Sequence, residues 1–150
     1  MRQKSHEMKN EEIWILGHKM TMHESSGDYD MVVGETAPGV PGPPPHSHQN
    51  CSEVFMVLEG QMEFLVNGEK LLLGPGESVD LPAGTVHTFG NGGDELCKYV
   101  NIHSPKGFSR FFRERGVNAT EENAVEKSVS PERIQAAIET AADYDMLIAM

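Results

Sequence analysis

His46, His48, Glu53 and His87 are the side chains of this sequence whose types and spacing point to chemistry. His46 and His48 are two residues apart, so on a strand both imidazoles face the same way and reach one point. Glu53 follows at an odd offset that would turn it to the wrong face of one continuous strand. The intervening Gln49-Asn50-Cys51-Ser52 can turn the chain and bring Glu53 inward again on the neighbouring strand. His87 arrives from a distant strand beyond the Pro82-Ala83-Gly84 turn. Three imidazole nitrogens and one carboxylate oxygen form a donor set that suits Fe, Mn, Co, Ni, Cu or Zn, so one divalent transition metal per chain is expected. In an octahedral arrangement such a set leaves positions open for a substrate. Cys51 lies between His48 and Glu53, where a thiolate ligand would displace the carboxylate; the sequence favours a small hydrophobe at a turn instead. His6, His18, His23 and His103 lack this spacing and are set aside as surface or hydrogen-bonded residues.

The elements that must position these donors are short strands. Glu53 to Glu59, Gln61 to Val66, Lys70 to Leu73, Ser78 to Leu81, Val86 to Phe89 and Cys97 to Ile102 are each bounded by turn residues. Asn67-Gly68 is a strong hairpin signal, because both positions accept positive φ. Ile13 to His23 and Asp30 to Glu35 add further strands upstream. Strands this short and evenly spaced indicate an all-β sandwich or barrel, over about residues 13–104. The Pro41 to Pro45 patch cannot be a central strand and reads as a stiff approach to His46. After residue 104 the pattern turns helical. Ser104-Pro105 looks like a helix start, Phe108, Phe111 and Phe112 share a face, and Gly116 ends the helix. Ser130-Pro131-Glu132 repeats the start signal, followed by a stripe of Ile134, Ala137, Ile138 and Ala141. Asn118 to Val129 reads as a loose polar connection. These helices are expected to pack on the outside of the barrel; the alternative is that the phenylalanines cover its mouth.

Length and charge bound the remaining possibilities. A chain of 150 residues fits one domain, residues 1–150. The formal net charge is −11, which argues against nucleic-acid and anionic-membrane partners. No apolar run approaches a membrane span, and the polar N-terminus argues against a secretory signal. Two cysteines, Cys51 and Cys97, make no disulfide scaffold, so a cytoplasmic protein with free thiols is expected.

The spacing His46-x-His48-x4-Glu53-x6-Gly60 resembles the first signature motif of the cupin superfamily. Gly76-x5-Pro82-x-Gly84-x2-His87-x3-Asn91 resembles the second in every defining position. The family's usual glycine six positions before the first histidine is replaced by Val40, with Gly39 beside it. The resemblance covers roughly residues 30–105 and implies a double-stranded β-helix, or jelly-roll barrel, with a short C-terminal helical extension over about 105–150. It also implies that His46, His48, Glu53 and His87 are metal ligands. The C-terminal part, Gly107 to Glu114, is similar to small bacterial cupins likened to quercetin dioxygenases.

That likeness puts a metal-dependent dioxygenase acting on a small aromatic or diketone substrate first. Glu53 would then be both ligand and proton acceptor. Phe55, Val57, Met62, Phe64 and Phe89 would line the substrate pocket if they follow the ligand faces. A metal-dependent isomerase or lyase of a small molecule is the alternative, but it needs polar inward groups, and the expected lining has few. A non-catalytic protein binding a small ligand is a third reading. A regulator with a fused DNA-binding domain is disfavoured by length and charge. A homodimer is expected, with Ile13, Trp14, Ile15, Leu16, Met20 and Met22 covered by a twin subunit.

Overall fold

The computed structural model describes residues 10–149. His6 and the polar N-terminus lie outside them. The strands are β1 (Glu11–Ile15), β2 (His18–His23), β3 (Asp30–Thr36), β4 (His46–Ser47), β5 (Ser52–Glu59) and β6 (Met62–Val66). They continue as β7 (Glu69–Leu73), β8 (Ser78–Leu81), β9 (His87–Gly90), β10 (Cys97–Ser104), β11 (Val117–Asn118) and β12 (Leu147–Ile148). The helices are α1 (Ser109–Arg115), α2 (Ala124–Ser128) and α3 (Pro131–Thr140), followed by a 3₁₀ turn at Ala141–Tyr144. A seven-stranded antiparallel sheet runs β11-β1-β2-β3-β10-β5-β8, and a five-stranded one runs β12-β4-β9-β6-β7. Together they form the jelly-roll barrel, and the helical extension follows it in the chain.

Local sequence explains the hairpins. Asn67-Gly68 closes β6 on β7 with φ of 48° and 84°. Leu16-Gly17 does the same for β1 and β2, with φ of 50° and 85°. Both pairs have the double positive φ of a type I′ turn, whose twist matches that of the flanking strands.

Alternation on the central strands sets up a gradient along the barrel axis. β5 turns Glu53, Phe55 and Val57 inward, and β10 turns Cys97, Tyr99, Asn101 and His103 inward. The register pairs His103 with Glu53, Asn101 with Phe55, and Tyr99 with Val57. One end of the barrel is therefore polar and the middle is apolar. Phe55, Phe64, Phe89 and Tyr99 meet there, with the Phe55 and Phe64 ring centroids 5.0 Å apart.

A hydrogen-bonded chain runs through this interior. The Pro41 carbonyl accepts from His18 Nε2 at 2.9 Å, so Nδ1 is the acceptor and takes the Thr36 hydroxyl at 2.8 Å. Thr36 Oγ1 in turn accepts from the Tyr99 hydroxyl at 3.1 Å. Burial lowers the His18 pKa to about 4, against a smaller opposing pull from the Pro41 carbonyl. Between pH 6.5 and about 4 the unfolded chain therefore binds a proton that folded His18 refuses, and stability falls as pH falls. Wild type is expected to lose roughly 3 kcal/mol more than His18→Gln between pH 7 and pH 4, read from urea unfolding. Equal losses would refute the assignment.

The turn after His48 does deliver Glu53 inward on the next strand, with the added feature that β4 and β5 belong to opposite sheets. Several sequence expectations are corrected. The first helix begins at Ser109, not at Ser104-Pro105, because β10 continues through Ser104. The segment Asn118 to Val129 holds α2 and the end of β11 rather than a loose connection. Ser130 caps α3 as expected, accepting from Arg133 N at 3.4 Å. Of the apolar stripe, Ala137 and Ala141 are buried, while Ile134 and Ile138 are exposed. Ile13, Ile15, Met20 and Met22 lie in the chain's own core, so they do not form a surface for a twin subunit. Among the described residues, no helix is long and apolar enough to cross a membrane.

Helix α1 does not sit on the outside of the barrel. Phe108, Phe111 and Phe112 close its polar end, facing His46, His48 and Glu53 across a small cavity. Gly116 lets the helix end seat on β1, since a Cβ there would collide with Ile13 Cγ2 and Phe112 O. Arg133 then donates to the Arg115 and Gly116 carbonyls, which the helix end leaves without intrahelical partners.

Candidate metal centre

The sequence-predicted donors come together at the polar end of the barrel. His46 on β4 pairs directly with His87 on β9, and their rings are 4.4 Å apart. Glu53 reaches across from β5 in the other sheet. Its Oε2 lies 3.0 Å from His87 Nε2 and 3.3 Å from His48 Nε2. All four side chains are buried.

Backbone carbonyls decide which ring nitrogen faces inward. His46 Nδ1 donates to Pro44 O at 2.9 Å, His48 Nδ1 to Asp145 O at 2.8 Å, and His87 Nδ1 to Thr85 O at 3.0 Å. With the Nδ1–H groups so engaged, each neutral ring presents a bare Nε2 lone pair to the centre. Lone pairs then face the Glu53 carboxylate, and His48 Nε2, His87 Nε2, His103 Nε2 and Glu53 Oε2 have no hydrogen-bond partner. Buried acceptors facing acceptors are satisfied only by a proton or a cation between them. The residues therefore fit a metal ion. The donor atoms of His46, His48 and His87 lie within 4.8 Å of one another, as do those of His48, Glu53 and His103.

The electrostatics agree. Burial, then His87, pushes the His46 pKa down to about 4, so that ring is neutral near pH 7. Burial also pulls His48 down, but the carboxylate of Glu53, 3.3 Å away, outweighs it and raises its pKa, the same pull for positive charge between them that a cation would answer. Burial alone would raise the pKa of Glu53. The charge that His103 can carry, with the His48 and His87 imidazoles close beside the carboxylate, holds it well below the usual carboxylate range. Cys51 is different: burial, then Glu53, Asp145 and Asp30, pushes its thiol up to about 12. A protonated thiol is a poor ligand, which agrees with the sequence reading.

The cavity beside these donors measures about 50 Å³. Its wall includes Phe55 and Phe89 from the expected pocket set. Val57, Met62 and Phe64 do not reach it; they are fully buried in the core below. The rest of the wall is contributed by β1, β2, α1 and Met146, together with Asn101.

Sequence reasoning missed three contributors. His103, set aside as an ordinary histidine, lies 3.2 Å from Glu53 Oε1 and stacks on Phe108 at 4.5 Å. Its inward position follows from the alternation of β10 and was open to detection. Asn101 shares that alternation and donates to Glu53 Oε1 at 3.0 Å. Asp145 had no local signal. Its carbonyl takes the His48 proton, and its carboxylate accepts from Gln49 N and Asn50 N at 3.0 and 2.8 Å.

Comparison with known proteins agrees with this architecture. Residues 32–103 match the Cupin domain family. The sequence is 37% identical over 71 residues to quercetin 2,3-dioxygenase of Bacillus subtilis (strain 168), covering 47% of this chain and 21% of that protein. It is 33% identical over 61 residues to the HTH-type transcriptional regulator PuuR of Escherichia coli (strain K12), covering 41% of this chain and 32% of that protein. The chain thus spans a third or less of the length of these curated relatives. KdgF from Halomonas sp. has the same fold, with a TM-score of 0.58 at 23% identity over 63% of this chain and 85% of that one. The family match runs through the strands that carry His46, His48, Glu53, His87 and His103, and by it residues 32–103 are a cupin domain.

Proposed function

We propose that this protein is a metal-dependent cupin dioxygenase acting on a small aromatic enolate or β-diketone. The observation that carries the reading is the set of unpartnered inward atoms, His48 Nε2, His87 Nε2 and Glu53 Oε2, set beside an apolar cavity. A bound Fe, Mn, Co, Ni or Cu ion would supply Lewis-acid and one-electron chemistry there. His46, His48, Glu53 and His87 would hold it. Phe55, Phe89 and Phe108 exclude water and favour a flat, apolar ligand. Glu53 is the base of the proposal: Oε1 is engaged by Asn101, so Oε2 would both hold the ion and, loosened from it as substrate binds, take the substrate's acidic proton. A cavity of about 50 Å³ favours short diketones over flavonols unless α1 moves outward.

The test is oxygen uptake by protein reconstituted separately with Fe, Mn, Co and Ni, over a panel of β-diketones and flavonols. Oxygen consumption with at least one pair is expected. Glu53→Gln is expected to keep metal and lose at least about 100-fold in rate, the scale of a lost general base. No uptake with any pair would defeat the dioxygenase reading. Tight binding of a small ligand without oxygen consumption would favour a binding protein instead.

Assembly as a homodimer is a separate proposal. Light scattering gives a direct answer, with a mass near 16.5 kDa counting against it.

A further inference from the structure

We infer that the outer face of the seven-stranded sheet is where two copies of this chain pair, with Glu35 of each copy set against Lys98 of the partner subunit. The inference rests on the homodimer proposal above and deepens it by naming the interface.

The alternation that fills the barrel also sets what faces out. On β3, β5 and β10 the side chains between the buried ones are Met31, Val33, Val54, Met56, Val100 and Ile102, all partly or wholly exposed. Register gathers them into two rows. Val33, Val100 and Met56 are direct cross-strand neighbours, and so are Met31, Ile102 and Val54. An antiparallel sheet with one face in water normally turns polar residues to that face, and these three adjacent strands do not. Polar side chains frame the patch instead: Thr21 and His23 on β2, Ser78 and Asp80 on β8. Among the described residues, α1 and α2 pack on β1 and β11, outside the patch. A contiguous apolar patch with a polar rim marks an interaction surface.

A second copy fits this patch because the face complements itself, as a twofold interface requires. The next row outward carries Glu35 and Lys98, which are cross-strand partners. A twofold axis along β10 would set Lys98 against Lys98 of the partner subunit, and one along β3 would do the same with Glu35. An axis across the strands would lay both charges on themselves or on the apolar rows. An axis along the seam between β3 and β10 instead sets Glu35 against Lys98 of the partner subunit, twice. It also sets Val33 against the partner's Val100 and Met31 against the partner's Ile102, so apolar side chains meet apolar ones. β2 then lies over β5, where Thr21 and His23 cover Met56 and Val54. The seam has β1, β2 and β3 on one side and β10, β5 and β8 on the other, so it runs down the middle of the face. β2, β3, β10 and β5, about 4.8 Å apart, present roughly 400 Å² over three rows of side chains. With rims on β1 and β8, a face-to-face pair buries on the order of 1,000 Å², where specific interfaces begin.

Sedimentation equilibrium over a range of concentrations decides the matter. Wild type should approach twice 16.5 kDa. Val100→Glu places a charge at the centre of the apolar rows and should weaken pairing by at least about 100-fold. Glu35→Lys and Lys98→Glu each set like charges against one another at both contacts and should weaken it by about 10- to 100-fold. Mixing those two single variants should restore pairing as a heterodimer, because every contact between the chains then joins opposite charges. Mixing cannot repair a defect confined to one chain, so the rescue reads the interface alone. The charge variants lie on the surface and decide the proposal even if Val100→Glu does not fold. A monomeric wild type would overturn the homodimer proposal and this inference with it. A wild-type dimer whose affinity is unchanged in the charge variants, or no rescue on mixing them, would overturn this interface and leave the homodimer standing.

Discussion

His48→Ala is expected to lower divalent-metal affinity by about 100-fold or more, beyond the range for losing a group behind a ligand. Two effects combine at this position. The variant removes one of the inward nitrogens that surround Glu53 Oε2. It also deletes the hydrogen bond from Nδ1 to Asp145 O, which joins the ligand segment to the C-terminal turn. The Asp145 carboxylate on Gln49 N and Asn50 N, and Gly84 N on His48 O, still hold the segment, so the loss falls on the metal rather than on the fold. β4 is two residues long, and the partners of His46 are His87 on one side and Ile148 on the other. His23→Ala provides the control, because His23 is half-buried on β2 and belongs to none of the donor clusters. Metal analysis on protein purified without an affinity tag should show near-full occupancy for His23→Ala and little for His48→Ala. Equal occupancy in the two variants would refute the ligand assignment.

Phe64→Ala is expected to cost about 3–5 kcal/mol of stability, the range for truncating a fully buried phenylalanine. Phe64 is buried beneath the metal centre, with its ring 5.0 Å from Phe55 and 6.1 Å from Phe89. Both of those rings border the cavity, and Phe64 does not. The deletion therefore opens a void in the core rather than widening the ligand site. For a domain of this size the melting temperature should drop on the order of 10 °C. Ligand selectivity of the surviving folded protein should stay unchanged. A stable variant with altered ligand preference would return Phe64 to the pocket wall, where the sequence reading had placed it.

What could be read from the chain was local. The Asn67-Gly68 hairpin, the alternation of β5 and β10, and the cap at Ser130 depend on residues within a few positions of one another. The pairing of His46 with His48 is local too, since a two-residue spacing on a strand leaves one direction for both rings. The full donor set, including His87 from a distant strand, was reached through the two motifs taken together. Each motif places its own residues against a turn, and the barrel needs only to bring the turns together.

What the chain did not disclose depends on closure of the two sheets. Glu53 meets the histidines from the opposite sheet, a relation that no offset along one strand encodes. Asn101 reaches Glu53 across 48 residues, and His48 finds its carbonyl 97 residues away. The phenylalanine pattern of 108, 111 and 112 specifies a helix with an apolar face, but not which surface that face will cover. An apolar stripe gains similar free energy on any apolar surface of matching shape. Only the folded barrel, with its open polar end beside β1, makes the mouth the place where Phe108 can pack on His103 and close the site.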